Sequence, residues 1–98
     1  MTAWLYILRL QSGALYIGAT TNLEERYQAH HNRLGGKTTS LDPPVSIVYS
    51  EKHESFSSAR RREAQFKRWS RAKKEALVAG DLDKLRALSK SREDTKRD

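Results

Sequence analysis

Residues 4–18, Trp-Leu-Tyr-Ile-Leu-Arg-Leu-Gln-Ser-Gly-Ala-Leu-Tyr-Ile-Gly, constrain the fold of this chain more than any other stretch. Two short runs rich in aromatic and branched side chains, Trp4 to Leu10 and Ala14 to Gly18, flank a polar break at Gln11-Ser12-Gly13. Each run reads as a strand. Three-residue hairpin loops commonly hold Gly in a left-handed conformation, and Gly13 stands where that Gly is needed. With residues 11–13 as the loop, Leu10 pairs with Ala14, Leu8 with Tyr16 and Tyr6 with Gly18. Alternation then puts Tyr6 and Tyr16 on one face as diagonal neighbours, with the Tyr6 ring left uncovered opposite Gly18.

After Gly18, Thr20-Thr21-Asn22 offers caps for a helix to about Arg33, with Leu23, Tyr27, His30 and Leu34 as its core-facing stripe. Arg26 and His30 lie one turn apart on its border. Gly35-Gly36 stops the helix, and Gly35 to Pro44 reads as a mobile loop. Val45 to Ser50 is a third strand, with Val45, Ile47 and Tyr49 expected on one face. Ser55, Ser57 and Ser58 can cap a helix running to about Trp69, on which Phe56, Ala59, Glu63 and Phe66 share a side. A glutamate on an otherwise apolar face is unusual unless it is paired, hydrogen-bonded or bound to a cation. Ser70 and Asp81 cap two further segments, the first expected to turn Ala72, Ala76, Leu77 and Val78 inward. The expected architecture is α+β, a three-stranded, largely antiparallel sheet flanked by helices in the order β-β-α-β-α-α(-α). It forms one domain over residues 1–88, followed by a disordered polar tail over 89–98.

The chain contains no cysteine, which excludes disulfides, thiolate metal ligands and a thiol nucleophile and suits a reducing compartment. No apolar run approaches membrane-spanning length, and the first residues lack a secretory layout. The expectation is a soluble cytoplasmic protein, a monomer or weak dimer, with no membrane partner. Against 12 Asp+Glu stand 19 Lys+Arg, a net charge of +7. Much of the excess falls between Arg60 and Lys74, and such a concentration favours a polyanionic partner, most simply DNA, over a role in solubility alone. Arg61, Lys67, Arg68 and Lys74 suit phosphate contacts, and Trp69 suits base stacking. The competing reading of this run is a solvated helix face, salt-bridged through Glu63 and Glu75.

Phosphodiester cleavage needs a positioned water, a proton acceptor and stabilisation of charge on the phosphate. Arg26 can present a permanently charged fork of donors to phosphate oxygens. Glu63 is a hard oxygen ligand suited to Mg²⁺ or Mn²⁺, in a site that water and substrate phosphate would complete. Tyr6 and Tyr16 can position a water or the phosphate, and His30 can relay or supply a proton near neutral pH. Each has an ordinary structural reading, a sheet-face aromatic or a helix-surface cation, but together the five fit one ordered pattern. His30, His31 and His53 lack the spacing and ligand count of a zinc site.

Leu5-Tyr6-Ile7, Tyr16-Ile17-Gly18, Thr21-Asn22-Leu23-Glu24-Glu25-Arg26 with His30, Arg62-Glu63 and Lys67-Arg68-Trp69 follow one another in an order that resembles the GIY-YIG nuclease superfamily. The closer resemblance is to its small stand-alone YhbQ-like UPF0213 branch, from about Trp4 to about Asp81. Leu5 stands where the superfamily's name has Gly, and no Asn follows Asn32 although the superfamily often uses one further on. The resemblance implies a sheet that carries the active site, with Tyr6 and Tyr16 from the tripeptides, Arg26 and His30 from the first helix, and Glu63 as metal ligand. It implies a metal-dependent DNA endonuclease of the kind that serves repair or recombination. The alternative is a nucleic-acid-binding module on the same scaffold with little or no cleavage, which metal-dependent nicking distinguishes.

Overall fold

The computed structural model describes residues 2–32 and 36–96. Its elements run β1 (Ala3–Leu10), β2 (Leu15–Thr20), α1 (Leu23–His31), α2 (Lys37–Leu41), β3 (Pro44–His53), α3 (Phe56–Lys67), α4 (Arg71–Ala79) and α5 (Leu82–Lys96). The three strands form one antiparallel sheet in the order β2-β1-β3, so the α+β architecture expected from the sequence is the one observed. By its contacts the chain divides into two compact units, Met1–Lys67 and Arg68–Asp98.

The hairpin closes as its turn residues require. Leu10 N–H donates to Ala14 O and Gly13 N–H to Leu10 O, and Gly13 takes φ +94°, which an L side chain would strain. The register is Tyr6 opposite Gly18 and Leu8 opposite Tyr16. Tyr6, Leu8 and Leu10 thus share a face and form a buried cluster, covered by Ala14, Tyr16, Leu23 and Tyr27. Leu5, Ile7 and Ile17 alternate to the opposite face. There α3 packs on β1 and β2, burying Ala59 and Phe66. Asn22 Oδ1 caps α1 by accepting from Glu25 N–H, and Glu24 and Glu25 sit favourably in its first turn. In the second unit α4 packs against α5; Ser70 caps α4, Gly80 ends it at φ +74°, and Asp81 caps α5.

The structure differs from the sequence expectation at four places. Within the expected loop 35–44, Lys37–Leu41 forms a short helix that buries Thr39. Pairing of β3 with β1 slips at Val45, since Arg9 opposes Ser46 while Leu10 opposes Pro44, and at Val48, since Ile7 opposes Tyr49 while Leu8 opposes Ile47. The extra residue at Val48 puts Tyr49 and Ile47 on opposite faces and leaves Val45 and Ile47 exposed. Phe56 is 39% exposed rather than inward. On α4, Lys73 and Ala76 are buried and Ala72 is exposed; Lys73 lays its stem along Trp69, with Nζ 4.2 Å from the ring centroid. The expected stripe position Leu34, and Gly35 of the helix stop, lie outside the described residues.

Gly18 does more than leave a space opposite Tyr6. A Cβ built there would collide with the phenol's Cζ and hydroxyl, so the ring lies directly against the Gly18 backbone. Gly18→Ala is therefore expected to destabilise the protein by about 1–3 kcal/mol through overpacking. Thermal unfolding followed by circular dichroism should show a loss of about 4–8 °C per kcal/mol. An unchanged melting temperature would show that Tyr6 moves aside freely.

Candidate active site

Strand pairing, one turn of helix and one helix face bring the predicted residues together. β1 and β2 supply Tyr6 and Tyr16, α1 supplies Arg26, and α3 supplies Glu63; all four line one open cavity of about 590 Å3. Its wall continues along residues 18–20 of β2, an outer strand of the sheet, and Thr21 just after it, and includes Phe56 and Arg60 from the start of α3. His30 stands behind the cavity, fully buried.

The two tyrosines are not equivalent. Tyr6 is 1% exposed, and its hydroxyl lies 2.9 Å from His30 Nε2. The other ring nitrogen of His30, Nδ1, lies 2.7 Å from Thr39 Oγ1. Burial pushes the imidazole pKa down from 6.5 to about 4, and the nearby Arg26 cation acts in the same direction. The ring is therefore neutral at pH 7, with one nitrogen donating and the other accepting, and either tautomer closes the chain Tyr6–His30–Thr39. His30 therefore reaches the cavity through its hydrogen-bonding contact with Tyr6 and its edge contact with Tyr16. Burial also raises the Tyr6 hydroxyl pKa above 10, against the opposing pull of a hydrogen bond from Arg26. Tyr6 is an anchored, protonated phenol. Tyr16 is half-buried, the more exposed of the two tyrosines, and meets the His30 ring edge-on at 5.0 Å.

Thr39 escaped sequence reasoning because it lies in a stretch of small polar residues. The available signal was Lys37-Thr38-Thr39-Ser40 itself, a run able to form one helical turn and turn a hydroxyl inward.

Glu63 is 15% exposed, and both of its oxygens are engaged. Oε1 lies 3.2 Å from Arg60 Nε and Oε2 2.9 Å from Lys67 Nζ, with both cations more than half exposed. Exposed pairs of this kind contribute about 0–1 kcal/mol each, so a stronger cation can displace them. Among the described residues no three His, Cys, Asp or Glu side chains converge, so no all-protein cage exists there. One carboxylate beside an open cavity does fit an Mg²⁺-like ion that keeps most of its ligands as water and phosphate.

A second network, also missed from the sequence, ties α3 to β3. Arg62 donates from Nε and Nη2 to Glu51, whose carboxylate also accepts from Tyr49 and meets His53 Nε2 at 3.1 Å. His53 Nδ1 in turn lies 2.7 Å from Ser58 Oγ, and the Arg62 guanidinium covers the Phe66 ring at 4.3 Å. Burial pushes the Glu51 carboxyl up, but the hydrogen bonds from Arg62, Tyr49 and His53 outweigh it and hold the pKa low. Tyr49 is pushed up to about 12, by burial first and by its bond to Glu51 second. This grip fixes the rotation of α3 at Arg62, the residue before Glu63.

The residues expected to bind nucleic acid divide between the units. Arg61 is exposed and donates to Ser57 Oγ, and Lys67 is drawn to Glu63. Arg68, Trp69 and Lys74 belong to the second unit, where one face of Trp69 is occupied by Lys73. Glu63 and Glu75 do serve as partners for basic neighbours, as the competing reading of this run requires.

Comparison with known proteins places the chain among relatives of one family. Residues 2–76 match the model of the GIY-YIG catalytic domain. A UPF0213 protein of Natronomonas pharaonis is 42% identical over 78 residues, covering 80% of this chain and 92% of its own. One from Staphylococcus saprophyticus is 37% identical over 76 residues, covering 78% and 93%. The solution structure of a UPF0213 protein from Bacillus halodurans superposes with a TM-score of 0.53 at 35% identity, covering 81% of this chain and 84% of that one. A protein from E. faecalis gives a TM-score of 0.56 at 33% identity, covering 84% and 88%.

The buried imidazole makes stability depend on pH in a definite sense. Between pH 6.5 and about 4 the unfolded chain binds the His30 proton and the folded chain does not, so stability falls as pH is lowered through that window. Denaturant titrations should show a loss on the order of 3 kcal/mol from this group. The His30→Gln variant should lack that component; an identical pH profile in both proteins would place the imidazole in solvent.

Proposed function

Because the chain belongs to the GIY-YIG family, within its UPF0213 group, and so to a nuclease superfamily, we propose that it is a metal-dependent DNA endonuclease. The observation that carries this reading is the convergence of Tyr6, Tyr16, Arg26 and Glu63 on one open cavity. Arg26 offers its guanidinium to the scissile phosphate, where a fork of charged donors stabilises developing negative charge. The hydroxyl of Tyr16, the more exposed of the two tyrosines, orients the attacking water. Tyr6 holds Arg26 in place and is itself held by His30 and Thr39, so the phosphate-binding side of the cavity is pre-formed. Glu63 would hold Mg²⁺ or Mn²⁺, exchanging its pairs with Arg60 and Lys67 for the ion. Bound there, the ion would supply positive charge to the phosphate oxygens and the leaving group. Arg61, Lys67, Arg68 and Lys74 are assigned to backbone phosphates, consistent with a net charge of +7.

The alternative is a DNA-binding module that does not cleave. What favours it is the pairing of both Glu63 oxygens within α3, together with the missing asparagine after Asn32.

Incubation with supercoiled plasmid, with and without Mg²⁺ or Mn²⁺, decides between them. Glu63→Gln should abolish metal-dependent nicking while leaving the fold and most DNA binding intact; undiminished nicking would remove Glu63 from the site. Tyr16→Phe should lower cleavage at least about tenfold, ~1.4 kcal/mol of transition-state stabilisation, at unchanged stability. Tyr6→Phe gives a less clean test, because it leaves buried His30 short of a partner at a cost of about 1–3 kcal/mol. Replacing Arg61, Lys67, Arg68 and Lys74 by alanine should weaken binding to all sequences alike and reduce the salt slope by roughly 0.9 per lost duplex contact. An unchanged slope would reduce the run to a solvated face.

A further inference from the structure

Phe56 is a large aromatic side chain left 39% exposed at the first position of α3. An isolated exposed apolar residue is ordinary on a protein surface. This one is set apart by its place, since it lines the same cavity as Tyr16, Arg26 and Glu63. Arg60, one turn on, lines the cavity too and places its guanidinium carbon 5.7 Å from the Phe56 ring centroid. The same Arg60 reaches Glu63 through Nε at 3.2 Å. Phe56, Arg60, Glu63 and Lys67 recur at intervals of four, three and four residues, so they form one stripe along α3. From Phe56 to Glu63 the stripe advances about 10 Å, the length of a short stretch of extended strand rather than of one phosphate. Along it the chemistry changes from aromatic face to cation to carboxylate.

Resting on the nuclease reading and extending it to how substrate is held, we propose that Phe56 is a stacking platform for an unpaired DNA base beside the scissile phosphate, with Arg60 on the intervening phosphate. A base still paired and stacked in a duplex cannot offer its face to Phe56, so the platform selects DNA with unpaired nucleotides next to the cut. Stacking on a phenyl face is tolerant of sequence, and the site therefore selects strand state rather than base identity. Trp69, the other candidate for stacking, has Lys73 over one face at 4.2 Å; Phe56 has Arg60 at 5.7 Å and is the one of the two that lines the cavity.

The test needs no cleavage. Short single-stranded deoxyoligonucleotides carrying a fluorescent purine analogue at successive positions, and the same strands in full duplex, are titrated with wild-type protein, Phe56→Ala and Phe56→Tyr. With wild type, the analogue should be quenched at one or two positions of the single strand. Phe56→Ala should lose that quench and weaken single-strand binding about fivefold or more, the low end of an aromatic–base stack, while duplex binding holds steady. Phe56→Tyr should keep both. Equal quench and affinity in wild type and Phe56→Ala would overturn the platform, as would an equal loss on single strand and duplex. Failure of the two readings is distinguishable. A protein that quenches through Phe56 but never nicks with any metal loses the nuclease assignment and keeps the platform. One that nicks, with Phe56→Ala binding as wild type does, keeps the nuclease and loses the platform.

Discussion

The contact between the Tyr6 ring and the bare backbone of Gly18 is the constraint from which the rest of the site follows. It requires the β1–β2 register that puts these residues opposite one another, and that register puts Tyr16 on the same face. With its ring pressed against the strand, Tyr6 directs its hydroxyl to His30, and His30 passes the constraint on to Thr39. A glycine, two aromatic rings and a hydroxyl thus lock β1, β2, α1 and α2 together without an ion pair. None of these groups needs to ionise at neutral pH, which suits a wall that must stay rigid while charge changes in front of it.

The third helix is organised by a different kind of force. Arg62 and Glu63 are adjacent, and about 100° of helical rotation separates their directions. Arg62 is held on the sheet by Glu51, with Tyr49 and His53 completing the carboxylate's partners. Glu63 is thereby turned to the cavity wall. The charges buried in this network are well paired, and its value lies in specifying one rotation of the helix more than in net stability. Around the cavity, then, one side is set by close packing of neutral groups and the other by a charge-assisted clamp.

Much of this was legible in the residues. The hairpin, its loop length and the shared face of the tyrosines follow from Gly13 and from period-two alternation, because a register in a half-buried sheet has few competitors. The caps Asn22, Ser70 and Asp81 were readable for similar reasons, each satisfying a local donor at fixed spacing. What could not be read was whatever depended on partners distant in sequence. Thr39 looks like a loop residue until His30 is beside it. Glu51 looks like the polar end of a strand until Arg62 arrives from the next helix. Phe56 has the right period for the core and still stands outside it, because the first turn of α3 extends past the residues that bury Ala59 and Phe66. The neutral state of His30 was likewise hidden, since burial, not spacing, decides it.

The slip at Val48 gives β3 a change of phase halfway along its length. Before it, Val45 and Ile47 face solvent and the Val45 carbonyl receives the Tyr27 hydroxyl; after it, Tyr49, Glu51 and His53 all turn to the face on which α3 lies. One strand therefore behaves as two short ones with separate duties, joined by a residue that belongs to neither. Chain length at this point carries as much information as side-chain identity. Loss of Val48 would remove that change of phase and send one half of the strand to the wrong side, unfastening either the first helix or the third while every contact-making side chain remained in the sequence.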